Sequence, residues 1–298
     1  MQCDGIGNSK AFALAEYFSG DLQAFLQADV KKLLQLKKSN GKAVLLPIQA
    51  DKLVACKASF PAGMSIQESW VFNIGREFLC TQVQHLQGLA LTSLDINPFL
   101  VKVLDLKTPK QVVEFNLFQN VTRSIVTSWG MTVEKLLVRS GAEAYVRTKG
   151  ARSGRSPDIM FEKSGKKYLI QVKSGPNTMN IDMVQSLNEI IANFKIEQPS
   201  VKFLLGMTYG RKEMISTQIR GTLQDFDDSI LIGRELWDLV SGKSDYHKEL
   251  FLLLDAASHG VMTATFSELL HQQLDLLVAE WDRTYDGLPM NQVLENFL

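Results

Sequence analysis

The chain has 298 residues, with 32 basic and 32 acidic side chains, 45% hydrophobic residues and 21% charged ones. Ample apolar content at zero formal charge excludes intrinsic disorder, and a chain of this length hides about three quarters of its extended surface on folding. No run approaches the roughly 18 consecutive apolar residues of a membrane helix, no leader pattern follows Met1, and Cys3, Cys56 and Cys80 are too few and too widely spaced for a disulfide frame, so a reducing cytoplasm is expected.

Neutrality hides an asymmetry. Arg139 to Lys173 holds nine Lys/Arg against three Asp/Glu, whereas Gly221 to Leu298 holds four against fourteen. A basic face set against an acidic remainder draws a polyanion to one place.

In chain order, Gly5-Ile6-Gly7 lacks the preceding strand that a phosphate loop needs and is set aside. Asp21 to Lys38 carries Leu22, Phe25, Leu26, Val30, Leu33 and Leu34 at helical spacing, with Ser39-Asn40-Gly41 expected to stop the helix. Ser69 to Leu91 predicts a second helix, and Val121 to Val138 a third with Ile125, Trp129, Val133, Leu136 and Leu137 on one stripe, ended by Gly141. Three short β-type runs follow: Ala142 to Arg147, Asp158 to Phe161 and Tyr168 to Lys173, with Ser164-Gly165 as a hairpin turn between the last two. Asp182 to Lys195 reads as a helix with a core face of Met183, Leu187, Ile190, Ile191 and Phe194, capped by Asn180 or Asp182. Val201 to Met207 is a buried strand and Ser229 to Ile232 a further one. From His247 onward the chain reads as acidic helix, and His85, His247, His259 and His271 are too far apart for a local metal pair.

The chemistry-bearing residues lie between Ser156 and Lys173. Residues two apart in a strand share a face, so Gln171 and Lys173 project together. Antiparallel pairing through Ser164-Gly165 brings Asp158 to the same end. An acid, an amide oxygen and an ammonium then converge, and hard oxygen donors of this kind suit Mg²⁺. The preceding loop holds Arg147, Lys149, Arg152 and Arg155 among Gly and Ser, open to phosphates and to guanine edges. The following loop offers Ser174, Asn177 and Asn180 at a helix N-terminus, open to phosphates and purine edges or simply to turn and cap chemistry.

Across Val121 to Met207 the motif and element order resemble the PD-(D/E)xK nuclease superfamily. Pro157-Asp158 stands for PD, and Gln171-Val172-Lys173 stands for (D/E)xK with an amide in place of the usual carboxylate. The resemblance implies an α/β fold: a core of helix, three-strand meander, crossover helix and further strand on a mixed central sheet, with additional N- and C-terminal helices. It implies Mg²⁺ held at Asp158, Gln171 and Val172, with Lys173 orienting or deprotonating the attacking water. Glu134 is the candidate for the further Glu that many members take from the preceding helix; it reads equally as an exposed Glu paired with a nearby cation, and Glu143 is a weaker substitute.

Asp95-Ile96-Asn97-Pro98-Phe99-Leu100, Thr208-Tyr209-Gly210 and Gly233-Arg234-Glu235-Leu236-Trp237 look like features of type II restriction endonucleases that cut GGNCC-type palindromes. That resemblance implies a prokaryotic homodimer cutting both strands of double-stranded DNA, with no membrane partner. The expected layout is a helical region over 1–115, a catalytic core over 116–240 and a helical region over 241–298. A structure-specific repair or recombination nuclease, and a non-catalytic DNA-binding protein with a decayed site, stand as alternatives.

Overall fold

The computed structural model describes residues 14, 17–18, 22–37, 41–51, 64–141, 146–147, 157–259, 261–262 and 264–298. The first periodic stretch is two short helices, α1 (Leu22–Gln27) and α2 (Val30–Leu34), rather than the single expected helix. Asp29 lies between them, and its carboxylate accepts the Lys32 N–H at 2.7 Å as the cap of α2. A side chain that caps one helix start competes with continuation of the helix before it. Phe25 and Leu33 join Leu36, Val44 and Leu45 in a small core of their own.

Helix α3 (Ile66–Gln87) starts ahead of the expected Ser69 because Ser65 and Glu68 form a capping box, each side chain accepting the other's backbone N–H. Hydrogen bonds donated to the Glu68 carboxyl by the Ser65 hydroxyl and backbone N–H hold it below its ordinary range. After α4 (Pro98–Val103), α5 spans Pro109–Ser140, also well ahead of its expected start. The reason is again a capping box, here Thr108 with Gln111, and Pro109 in the first turn where its missing N–H costs nothing.

Strand β1 (Val146–Arg147) precedes the hairpin of β2 (Ile159–Lys163) and β3 (Lys166–Lys173). Ser164 and Gly165 both take positive φ, 50° and 72°, the combination a two-residue type I′ turn needs to match strand twist. Helix α6 (Ile181–Glu197) crosses over to β4 (Val201–Met207). The short α7 (Thr217–Thr222) and α8 (Phe226–Ser229) lead to β5 (Ile230–Ile232). Four helices complete the chain's order: α9 (Arg234–Ser241), α10 (Tyr246–His259), α11 (Phe266–Thr284) and α12 (Met290–Glu295).

The sheet runs β1-β2-β3-β4-β5, antiparallel over the first two pairings and parallel over the last two. This is the expected mixed sheet, with the crossover helix joining its parallel pair. One face carries Ile159, Phe161, Ile170 and Val172 against Val133, Leu136 and Leu137 of α5, with α9 and α10 completing that core. The opposite face carries Leu169, Phe203, Leu205 and Met207 against Val184, Leu187 and Ile191 of α6. Met183, expected among the core residues of that helix, is instead 45% exposed, because Val184 supplies the inward position. The N-terminal half of α5 packs elsewhere, with Val112, Val113 and Leu117 in a bundle that includes Leu274, Leu277 and Trp281 of α11. Among the described residues no helix is long and apolar enough to cross a membrane.

Gly206 is the penultimate residue of β4, on the α5 side. A Cβ there would stand 2.7 Å from Ile170 Cγ2 and 3.0 Å from Leu236 Cδ1. Both neighbours are fully buried, so neither can swing out of the way. Gly206→Ala is expected to lower stability by about 1–3 kcal/mol through overpacking, read as a shifted urea midpoint with an unchanged slope. An unchanged midpoint would mean that β4 and α9 are less tightly apposed than described.

Candidate active site

The start of β2, the end of β3 and the first turns of α6 build the site. From the turn, strand β2 pairs with β3 from Lys163↔Lys166 to Ile159↔Ile170 and then stops. Asp158, one residue ahead of β2, still donates its N–H to Ile170 O at 2.9 Å. Its carboxylate turns back onto β3 and accepts the Val172 N–H at 2.7 Å and Gln171 Nε2 at 2.6 Å, both at Oδ2. The amide proton that β2 no longer reaches is thereby satisfied, and Asp158 and Gln171 are locked side by side.

Alternation along β3 sets the rest. Ile170 and Val172 enter the core facing α5, so Leu169, Gln171 and Lys173 share the α6 side. Gln171 and Lys173 line a cleft of about 610 Å³ between the strand end and the first turns of α6. Asn180 lines the same cleft and caps α6, its Oδ1 accepting the Met183 N–H at 2.9 Å; of the two expected caps it is the one that forms. Ser174 follows Lys173, its carbonyl accepting from Thr208 Oγ1, and Asn177 is exposed in the turn beyond.

The structure therefore brings together Asp158, Gln171, Val172, Lys173 and Asn180, with Ser174 and Asn177 on the adjoining loop. It does not bring Glu134 into the cleft. Glu134 is half-buried on α5, which packs on the opposite face of the sheet. Arg147 lies in β1, paired with Ile159, and only its backbone is described. Lys149, Arg152, Arg155 and Glu143 lie outside the described residues.

Three polar cleft residues were not singled out for the site in the sequence: Asp182, read only as a candidate cap, Ser186 and Glu189. Their spacing of four and three places them on one face of α6, a signal masked by attention to the apolar stripe. Asp158 and Gln171 offer oxygen donors, the set that Mg²⁺ accepts. Among the described residues no three His, Cys, Asp or Glu side chains converge as a metal-binding group. The donors fit an ion held by few protein ligands, with water and substrate phosphate completing its shell.

A family model described as type II restriction endonuclease EcoO109I matches residues 67–260, a stretch that contains the entire cleft. No curated protein matches the chain.

The Asp158–Gln171 bond is testable by charge. Gln171→Glu replaces a donor 2.6 Å from Asp158 Oδ2 with a second acid, and two carboxylates so placed cannot both ionise without cost. One of the pair is then raised in pKa, so the lost stability should return as the pH is lowered and that acid takes up its proton. In EDTA at neutral pH the variant is expected to melt below the parent. Added Mg²⁺ should raise its Tm by more than it raises the parent's. Equal Mg²⁺ shifts in the two proteins, followed by thermal melting, would place the ion away from Gln171.

Proposed function

We propose that this chain, which belongs to the type II restriction endonuclease EcoO109I family, hydrolyses phosphodiester bonds in both strands of double-stranded DNA at a short palindromic sequence, with Mg²⁺ as its cofactor. The observation that carries the reading is the hydrogen bond of Asp158 to Gln171 at the end of β3, where Gln171 and Lys173 line one cleft. In this reading residues 157–158 and 171–173 supply the superfamily's motif.

Asp158, Gln171 and Val172 are the residues that would hold the ion. When bound, Mg²⁺ neutralises the phosphate and stabilises the leaving oxygen. Lys173 stands in the same cleft and orients the attacking water or takes its proton. Gln171 supports Asp158 through its amide N–H and keeps an oxygen donor while adding no charge. Glu134, half-buried on α5, is the proposed further acid of the site.

The DNA contacts proposed are Arg147, Lys149, Arg152 and Arg155 on one side of the motif and Ser174, Asn177 and Asn180 on the other. Arg155, nearest Asp158 in sequence, is assigned a phosphate and Arg152 a base edge. Asn180 spends its carbonyl oxygen on the α6 cap, so a base contact from it uses the Nδ2 donors, which suit purine N7 and O6 acceptors. A homodimer supplies two such sites to a two-fold target. The GGNCC-type class of palindrome follows from the resemblance of the Asn97, Tyr209 and Trp237 segments.

Lys173→Ala is expected to cut cleavage by at least about 100-fold, the usual scale of a lost proton-transfer group. Binding to cognate duplex in Ca²⁺ should stay near the parental value. The measurement is cleavage of a sequenced plasmid with Mg²⁺, alongside gel-shift titration. Discrete fragments from the parent support a restriction enzyme. Nicking only at structural junctions would support a repair nuclease, and shift without cutting a binding protein with a decayed site.

A further inference from the structure

Lys173 ends β3 at a point where the sheet grips it from one side. Strand β2 has already stopped, and only β4 continues alongside, with Lys173 in register with Met207. The residue after Met207 then completes the grip. Thr208 is 7% exposed and spends its N–H, hydroxyl and carbonyl on three different partners. Its N–H donates to Lys173 O at 3.1 Å and its hydroxyl to Ser174 O at 2.7 Å. Its own carbonyl accepts the indole N–H of buried Trp237 at 2.8 Å. Trp237 is fixed in turn among the core residues of the α5 face. The next two residues interlock with the same turn. The Tyr209 ring lies so close to Gly175 that a Cβ there would stand 2.3 Å from its Cζ, and a Cβ on Gly210 would stand 2.4 Å from Pro176 Cγ.

We propose that Thr208, backed by Trp237, is a positioning residue for the cleavage reaction. It holds two successive carbonyls, those of Lys173 and Ser174, and so fixes the direction in which the chain leaves β3. That direction sets where the Lys173 ammonium stands relative to Asp158. A displacement of about 1 Å at a reacting group is enough to cost on the order of 100-fold in rate, so the bracket acts on turnover. The Tyr209–Gly175 and Gly210–Pro176 contacts hold the loop beyond, so losing the Thr208 hydroxyl alone leaves DNA binding in place. The inference rests on the reading of Lys173 as the group that handles the attacking water.

The test compares Thr208→Val, which keeps shape and backbone but removes the hydroxyl, with Thr208→Ser, which keeps it. Single-turnover cleavage with Mg²⁺ is measured beside cognate-duplex binding in Ca²⁺. Thr208→Val is expected to cleave roughly 10- to 100-fold more slowly with its Kd within about twofold of the parent's. Thr208→Ser should restore the rate to within about threefold. A parental rate in Thr208→Val overturns the proposal, as does a Thr208→Ser as slow as Thr208→Val, or a fall in affinity that accounts for the fall in rate. If Thr208→Val does not fold, Trp237→Phe removes the hydrogen bond behind Thr208, and it too should slow cleavage without weakening binding; a parental rate there is equally fatal. Lys173→Ala in the same assay separates the two levels. Cleavage surviving in Lys173→Ala would sink the reading of the site itself, whereas a dead Lys173→Ala beside a parental Thr208→Val sinks only the bracket.

Discussion

Where β2 stops, the Asp158 carboxylate continues the ladder. It accepts the Val172 N–H at 2.7 Å, a bond that a further residue of β2 would otherwise make, and takes Gln171 Nε2 at 2.6 Å on the same oxygen. The residue with the greatest chemical potential in the site is thus also a structural element of the sheet. An unsatisfied N–H at this point costs about 1–3 kcal/mol, so removal of the Asp158 side chain disturbs the strand end as well as the chemistry. Lys173 is different. Its backbone is held by β4 and Thr208, and its side chain carries no strand bond, so its ammonium can be removed without touching the ladder.

The amide at position 171 makes physical sense in this setting. A glutamate there would meet the Asp158 carboxylate across a distance that suits a donor and an acceptor, and only a shared proton or a cation could reconcile the two. Glutamine supplies the donor itself and steadies Asp158 with no ion present. The charge that the motif lacks at 171 is not absent from the cleft, because Asp182 and Glu189 line it from α6. Negative charge thus stands on the helix wall, with Lys173 at the strand end.

Much of this could be read from the residues alone, where a local rule agreed with the tertiary context. Ser164-Gly165 fits a type I′ turn and fixes the register that brings Asp158 to Gln171. Val201 to Met207 reads as a buried strand because both its faces are covered, by α5 and α9 on one side and α6 on the other. The misreadings arose where side chains act on the backbone. Asp29 divides one apolar stripe into two helices, and the Ser65 and Thr108 capping boxes start α3 and α5 before their stripes become obvious. Met183 and Val184 are adjacent apolar residues, and periodicity alone cannot decide which of them points inward. Thr208 and Trp237 were visible only as pieces of a resemblance; the hydrogen bond that joins them spans 29 residues of sequence.

The long helix α5 explains why so many helices accompany a small sheet. At about 1.5 Å per residue its 32 residues span roughly 48 Å, far more than a β-strand of eight residues can cover. Its C-terminal half lies on the sheet through Val133, Leu136 and Leu137, and its N-terminal half projects past the sheet with Val112, Val113 and Leu117 still needing burial. The chain's last helices supply that burial through Leu274, Leu277 and Trp281, while Val71 of α3 and Leu250 and Leu253 of α10 close the core over the sheet. Helices from both ends of the sequence therefore converge on α5, and the face of β3 carrying Ile170 and Val172 is sealed by them. With that face sealed, the alternation of the strand leaves Gln171 and Lys173 the other side, in the cleft walled by the first turns of α6.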